Sequence, residues 1–186
     1  MGQPKMHQIQ TGQVFLAHPL LEDSQFQRSV ILLVDHDDQG TMGFVLNETT
    51  ALHLTDALQG EWPKLPLFIG GPVGQDTLFY LHKRPDLIPD SVEIGTDLYW
   101  GGDFASMKTA LQNQHISAHE IRFFVGYAGW SADQLKQELD EGSWAILPHH
   151  TTDFFAQPQE LYAHLLRHLP EKIRMWSHAP RRAFLN

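Results

Sequence analysis

Gly126-Tyr127-Ala128-Gly129-Trp130, followed without a break by Ser131-Ala132-Asp133-Gln134-Leu135, is the stretch on which the fold turns. Ahead of it, Ile121 to Val125, apolar except for Arg122, reads as a buried strand. The two glycines then predict a turn that carries Tyr127 and Trp130, and Ser131 predicts a helix start. Its hydroxyl can bond the Gln134 amide while the Gln134 side chain reaches back, which makes a capping box. Leu135 and Leu139 form the apolar stripe of that helix, and Gly142 supplies a left-handed stop. Trp144 to Leu147 reads as the next strand.

Working outward, strands are predicted at Val14–Ala17, Ser29–Val34, Thr41–Leu46, Leu67–Ile69, Thr77–Leu81, Val92–Ile94 and Leu98–Trp100. The polar run from Asp35 to Gly40 joins two of them as a hairpin loop. Thr55–Gly60 predicts one helical turn. Asp103 predicts the cap of a helix whose Phe104, Met107 and Leu111 share a face, and Pro158 opens a last helix with Leu161, Leu165 and Leu169 aligned. Adjacent strands on short links with interspersed helices imply an α+β fold. The expectation is one domain over residues 1–186 with a mixed, mainly antiparallel sheet, barrel-like or open, flanked by helices. Residues 1–12 are expected to be a loose N-terminus and 170–186 a basic tail.

The 42% hydrophobic and 19% charged content is that of an ordinary globular chain. With no cysteine, disulfides and thiolate metal sites are excluded and a reducing compartment is permitted. The polar start predicts no secretory signal, and Val30–Val34, the longest apolar run, is far too short to span a bilayer. Net charge is −9, unevenly spread. Residues 167–186 set five basic residues against Glu171 alone and carry +4, which leaves −13 on residues 1–166. The tail either folds back on that acidic body or serves as an arm that binds a partner or nucleic acid. The body repels phosphate backbones and anionic membranes, so membrane binding is not expected and direct DNA binding is disfavoured.

Chemical motifs are sparse. Asp35, Asp37, Gln39 and Gly40 imitate a calcium loop, but the twelfth position is Leu46 where a bidentate Glu is required. His164/His168 and His115/His119 share one-turn spacing without the H-E-x-x-H glutamate, and His149-His150 reads as loop, so no metal site is predicted. Gly70-Gly71-Pro72-Val73-Gly74 lacks the phosphate-loop lysine, and no dinucleotide fingerprint or G-x-S-x-G elbow occurs, so no cofactor is predicted. Trp100, Tyr127 and Trp130 beside glycines read either as packing or as an aromatic ligand platform.

Three blocks resemble the YqgE/AlgH family of bacterial proteins. The first is Leu16-Ala17-His18-Pro19-Leu20 with Asp23, Phe26, Arg28-Ser29-Val30, His36, Gly40, Met42-Gly43 and Asn47. The second is Gly70-Gly71-Pro72-Val73 with Leu81-His82, and the third is Gly126–Trp130 with Gln134-Leu135, Glu138 and Trp144. Glu48 departs from the pattern, standing where a basic residue is usual. The resemblance implies an α+β fold and a cytoplasmic bacterial protein, and the AlgH label associates the family with regulation of transcription. The leading expectation is a non-enzymatic regulatory domain that binds another protein, with Gly126, Tyr127, Gly129 and Trp130 as a structural motif. The alternative is a small-ligand or catalytic pocket in which Arg28 clamps an anion, Asn47 orients it, Gly70-Gly71 gives close approach and His82 transfers a proton.

Overall fold

The computed structural model describes residues 9–147, 154–155 and 158–179. In chain order the elements are β1 (Val14–Ala17), β2 (Val30–His36), β3 (Gly40–Val45), β4 (Thr49–His53), α1 (Leu54–Ala57), β5 (Pro66–Ile69), β6 (Val73–His82), β7 (Val92–Gly95), β8 (Leu98–Trp100), α2 (Phe104–Gln112), β9 (Ile121–Ser131), α3 (Gln134–Asp140), β10 (Trp144–Ile146), α4 (Pro158–Leu166) and α5 (Glu171–Arg174). Among the described residues ten strands form one open sheet in the order β10-β1-β2-β3-β9-β6-β8-β7, with β4 paired to β5 and β5 to β9. The sheet does not close into a barrel. Among the described residues only β5 and β9 run parallel, with Leu67 opposite Phe123.

β9 is the axis of the molecule. Its first half lies between β5 and β6, and its second half pairs with β3 from Gly43–Ala128 to Gly40–Ser131. The Gly126–Trp130 segment is therefore strand, where the two glycines predicted a turn. The handover from β5 to β3 occurs at Gly126, whose φ of 70° is open to glycine at little cost. A Cβ there would meet the Gly71 carbonyl, and one on Gly71 would strike the Tyr127 backbone. Gly70 completes the joint: its N–H donates to Val125 O and its carbonyl accepts from the Val45 amide.

Alternation along the strands buries both sheet faces. From β1, Val14 and Leu16 join Leu32, Phe44 and Phe124 under α4, whose Leu161 and Leu165 are buried as predicted, together with Leu169 just beyond its end. Phe15 and Ala17 point the other way and pack with Ile31, Trp130, Trp144 and Leu135 under α3. A third cluster puts Met107, Ala110 and Leu111 of α2 against Tyr80 and Phe123.

Several local expectations are corrected. Phe104 is 44% exposed, because at the start of α2 it meets Trp62 (5.7 Å between rings) rather than the core, and Ala110 takes the buried place. Ser131 is not the cap of α3. It still pairs with Gly40, and the chain enters the helix through Asp133 at φ 64°. Half of the expected box survives, since Gln134 Oε1 accepts from the Ser131 amide at 3.1 Å. The Asp103 cap stands, with its carboxylate accepting from the Ser106 amide at 2.6 Å.

The described part of the basic tail docks by apolar contact. Ile173 and Trp176 pack on the core, while Lys172 and Arg174 face solvent. Arg181, Arg182, the expected N-terminal residues 1–8 and His149-His150 lie outside the described residues. At the other end, the Gly12 amide is tied to Leu33 O at 2.8 Å.

Candidate functional site

Asn47, at the end of β3, sends both side-chain atoms to backbone. Its Oδ1 accepts from the Val30 amide (2.8 Å) and its Nδ2 donates to Arg28 O (3.0 Å). This clasp holds Arg28 at φ 61°, a conformation uncommon outside glycine. The Arg28 guanidinium donates to Ala179 O at 2.7 Å and stands 5.9 Å from the Tyr162 ring centre. Arg28 and Asn47 are thus neighbours, joined through backbone, and Arg28 pins the C-terminal segment. Burial pushes the Tyr162 hydroxyl up to about 12, and Arg28 opposes that shift.

His82 is fully buried at the end of β6. Its Nδ1 accepts from the Arg84 amide at 3.1 Å, so Nε2 carries the proton and donates to Gly101 O at 3.1 Å. The ring stacks on Tyr99. Burial lowers its pKa, with the Gly101 carbonyl and the Asp86 charge opposing. Tyr80 donates to Gly102 O beside it at 2.7 Å. Arg84 forms a 2.8 Å ion pair with Asp86, and its hydrogen bond holds that carboxyl below the usual range. The protonated nitrogen and the open one of His82 are both committed to backbone.

A different set of residues forms the cleft. Its volume is about 650 Å³, and it opens between the segment after β1 and the β9–α3–β10 corner. The floor is aromatic. Trp130 and Trp144 cross edge-to-face at 5.7 Å, Phe26 stacks on Trp130 at 6.4 Å, and both indoles are more than nine-tenths buried. Trp130 comes from the last residues of β9 and Trp144 from the first of β10, two strands that α3 connects. The same helix supplies Glu138. Its Oε2 accepts from both indole nitrogens, at 2.9 Å from Trp130 and 2.7 Å from Trp144, and its Oε1 accepts from Gln134 Nε2 at 2.9 Å. The helix then stops at Gly142 (φ 78°), with the Ser143 amide bonded back to Glu138 O.

Glu22, Asp23 and Glu141 stand at the rim, and among the described lining residues there is no lysine or arginine. His18 links the cleft to the C-terminal segment. It sits edge-on to Trp176 at 4.7 Å, and its Nδ1 accepts from the Leu20 amide. Burial lowers its pKa. Of the predicted site residues, Gly129 and Trp130 line the cleft, whereas Arg28, Asn47, Gly70, Gly71 and His82 do not. Glu138, Phe26 and Trp144 are the functional candidates that residue-type reasoning passed over. Their signal was the Gln134–Glu138 spacing of one helical turn, set between two tryptophans. Among the described residues no group of three metal-ligating side chains converges.

The scaffold is that of a small α+β protein, an open and mainly antiparallel sheet flanked by helices. The chain belongs to the AlgH-like family, whose profile matches residues 14–174. A UPF0301 protein of Cytophaga hutchinsonii is 40% identical over 172 residues, covering 91% of this chain and 94% of that one. A second, from Parabacteroides distasonis, is 37% identical over 180 residues, covering 94% and 90%. The solution structure of the AlgH protein from Pseudomonas aeruginosa superposes with a TM-score of 0.73 at 25% identity, covering 98% of this chain and 99% of that one. The crystal structure of DIP2367 from Corynebacterium diphtheriae shares the fold, with a TM-score of 0.73 at 23% identity and coverage of 93% and 94%.

Proposed function

We propose that this protein is a non-enzymatic, partner-binding regulatory domain and that the Trp130–Glu138–Trp144 cleft is its recognition surface. One observation carries the reading. Residues that bear the family resemblance and lie far apart in sequence, among them His18, Asp23 and Phe26 from one block and Gly129, Glu138 and Trp144 from another, meet in this cleft. Core packing accounts for the tryptophans but not for exposed Gly129. The polar groups suit binding better than catalysis. Glu138 is held by three neutral N–H donors, and no nucleophile stands with a base among the cleft residues. The alternative pocket around Arg28, Asn47 and His82 has less support, because those side chains bond to backbone.

Any effect on transcription then passes through a protein. An acidic body of net −13 repels a duplex, which favours a protein partner, in the cytoplasm on this reading. A photo-crosslinking residue at exposed position 141 tests it, with exposed position 96, on the β7–β8 turn at the opposite sheet edge, as control. A single protein, identified by mass spectrometry, is expected from 141 and absent from 96. No adduct from 141, or the same adducts from both positions, overturns the reading. So does duplex DNA binding at about 200 mM salt with a steep negative salt slope.

A further inference from the structure

The charge of the cleft is uncompensated. Glu138 is surrounded by neutral donors, and no ion pair within 4.0 Å reaches Glu22, Asp23, Glu138 or Glu141 among the described residues. A carboxylate offers about four lone-pair positions. Two indoles occupy both positions of Oε2, and Gln134 occupies one of Oε1. One position on Oε1 remains. That rules out the two-oxygen fork of an arginine on Glu138 and suits a compact single-point donor. Leu20, 42% exposed, and half-buried Phe26 supply apolar surface in the same cleft.

We infer that the cleft takes a lysine side chain of the protein partner, with its ammonium group on the open lone pair of Glu138 and its methylene stem along Phe26 and Leu20. This rests on the reading of the cleft as the partner site. The rim carboxylates Glu22, Asp23 and Glu141 raise the local concentration of a basic segment. A long side chain whose stem is apolar and whose tip is charged matches a site whose wall is apolar and whose one open acceptor is anionic.

The test is a titration of the ¹⁵N-labelled full chain with three capped pentapeptides, identical except for lysine, norleucine or arginine at the centre. Norleucine keeps the stem and removes the charge. The lysine peptide is expected to move the Trp130 and Trp144 indole resonances with a Kd on the order of millimolar. That affinity should weaken several-fold between roughly 0.05 and 0.5 M salt, as the screening length shortens. Glu138→Gln is expected to weaken lysine binding about five-fold or more, and Glu141→Gln, away from the core, by a smaller factor. A norleucine peptide that binds equally well, or an arginine peptide that binds several-fold tighter, overturns the inference and leaves the partner site standing. Unmoved indoles with all three peptides overturn the inference alone if the position-141 adduct persists, and the partner reading as well if it does not.

Discussion

The corner around His82 and the cleft around Glu138 each hold a titratable side chain against aromatic rings, and they satisfy it differently. His82 donates to one backbone group and accepts from another, which exhausts the neutral ring and closes the site to any third partner. Glu138 receives three side-chain N–H groups and retains one acceptor position in an open cleft. Backbone partners are fixed by the fold, so a side chain bound to them cements the fold. A charge solvated by side chains at a concave surface remains available to a visitor. The same contrast separates Asn47, clasped to Val30 and Arg28, from the rim acid Glu22.

The largest expected effect tests whether the cleft floor is also core. Trp130 is 6% exposed, stacked on Phe26 and crossed edge-to-face by Trp144. Trp130→Ala should cost about 3–5 kcal/mol in urea unfolding, the range for deleting a buried large ring. A midpoint equal to wild type would mean that the floor belongs to the visitor's site alone. Next comes the pair of glycines on β9. Gly126→Ala must place a Cβ at φ 70° and against the Gly71 carbonyl, and is expected to lose about 2–4 kcal/mol. Gly129 has extended backbone and open surroundings except the edge of the Tyr127 ring at 3.1 Å, so Gly129→Ala should cost under about 1 kcal/mol. Equal costs would erase the distinction between the joint at Gly126 and the cleft lining at Gly129.

The His82 side of the comparison yields two smaller effects. Asn47→Ala strands the Val30 amide and is expected to cost about 1–3 kcal/mol. Asn47→Asp, which keeps that acceptor, should recover part of it. His82 has its pKa lowered in the folded state, so the unfolded chain binds the proton more readily below the ordinary value of 6.5. Stability is therefore full above that pH and falls as the pH drops below it. His82→Gln should flatten this slope, leaving a remainder from His18, which is shifted the same way. An unchanged slope in urea unfolding between pH 7 and pH 5 would show that His82 titrates as it does in the unfolded chain.

How much of this was legible in the sequence follows the range of the interactions. The apolar runs at Val14, Val30 and Leu67 and the Leu161–Leu165–Leu169 stripe are local patterns, and all became buried elements. Thr49–His53 was missed because β4 alternates weakly, pairs on one side only and exposes Leu52 by half. Gly126–Trp130 misled because glycine marks a turn and a tight strand joint equally well, and only the partner strand, Gly71 against Tyr127, distinguishes them. The cleft was out of reach for a stronger reason. Residues 18–26 meet residues 129–144 only through the β1–β10 and β3–β9 pairings, and no spacing in the sequence encodes those.

A small effect on stability should accompany the largest on binding. Glu138→Gln keeps a carbonyl oxygen that can still accept from both indoles, so the Trp130–Trp144 crossing survives. Its new amide faces the Gln134 amide donor, and the bonds to Trp lose their charge assistance. The expected loss is about 1 kcal/mol, the net worth of one such bond. Being far in bonding terms from His82, the substitution should leave the slope of stability with pH as it was. In the cleft the same change removes the one charge that neutral donors hold in place without cancelling it, and lysine binding should weaken about five-fold or more. A Glu138→Gln protein that unfolds as readily as Trp130→Ala would make Glu138 a fastener like Asn47. The comparison between the two regions would then collapse, with both corners serving only the fold.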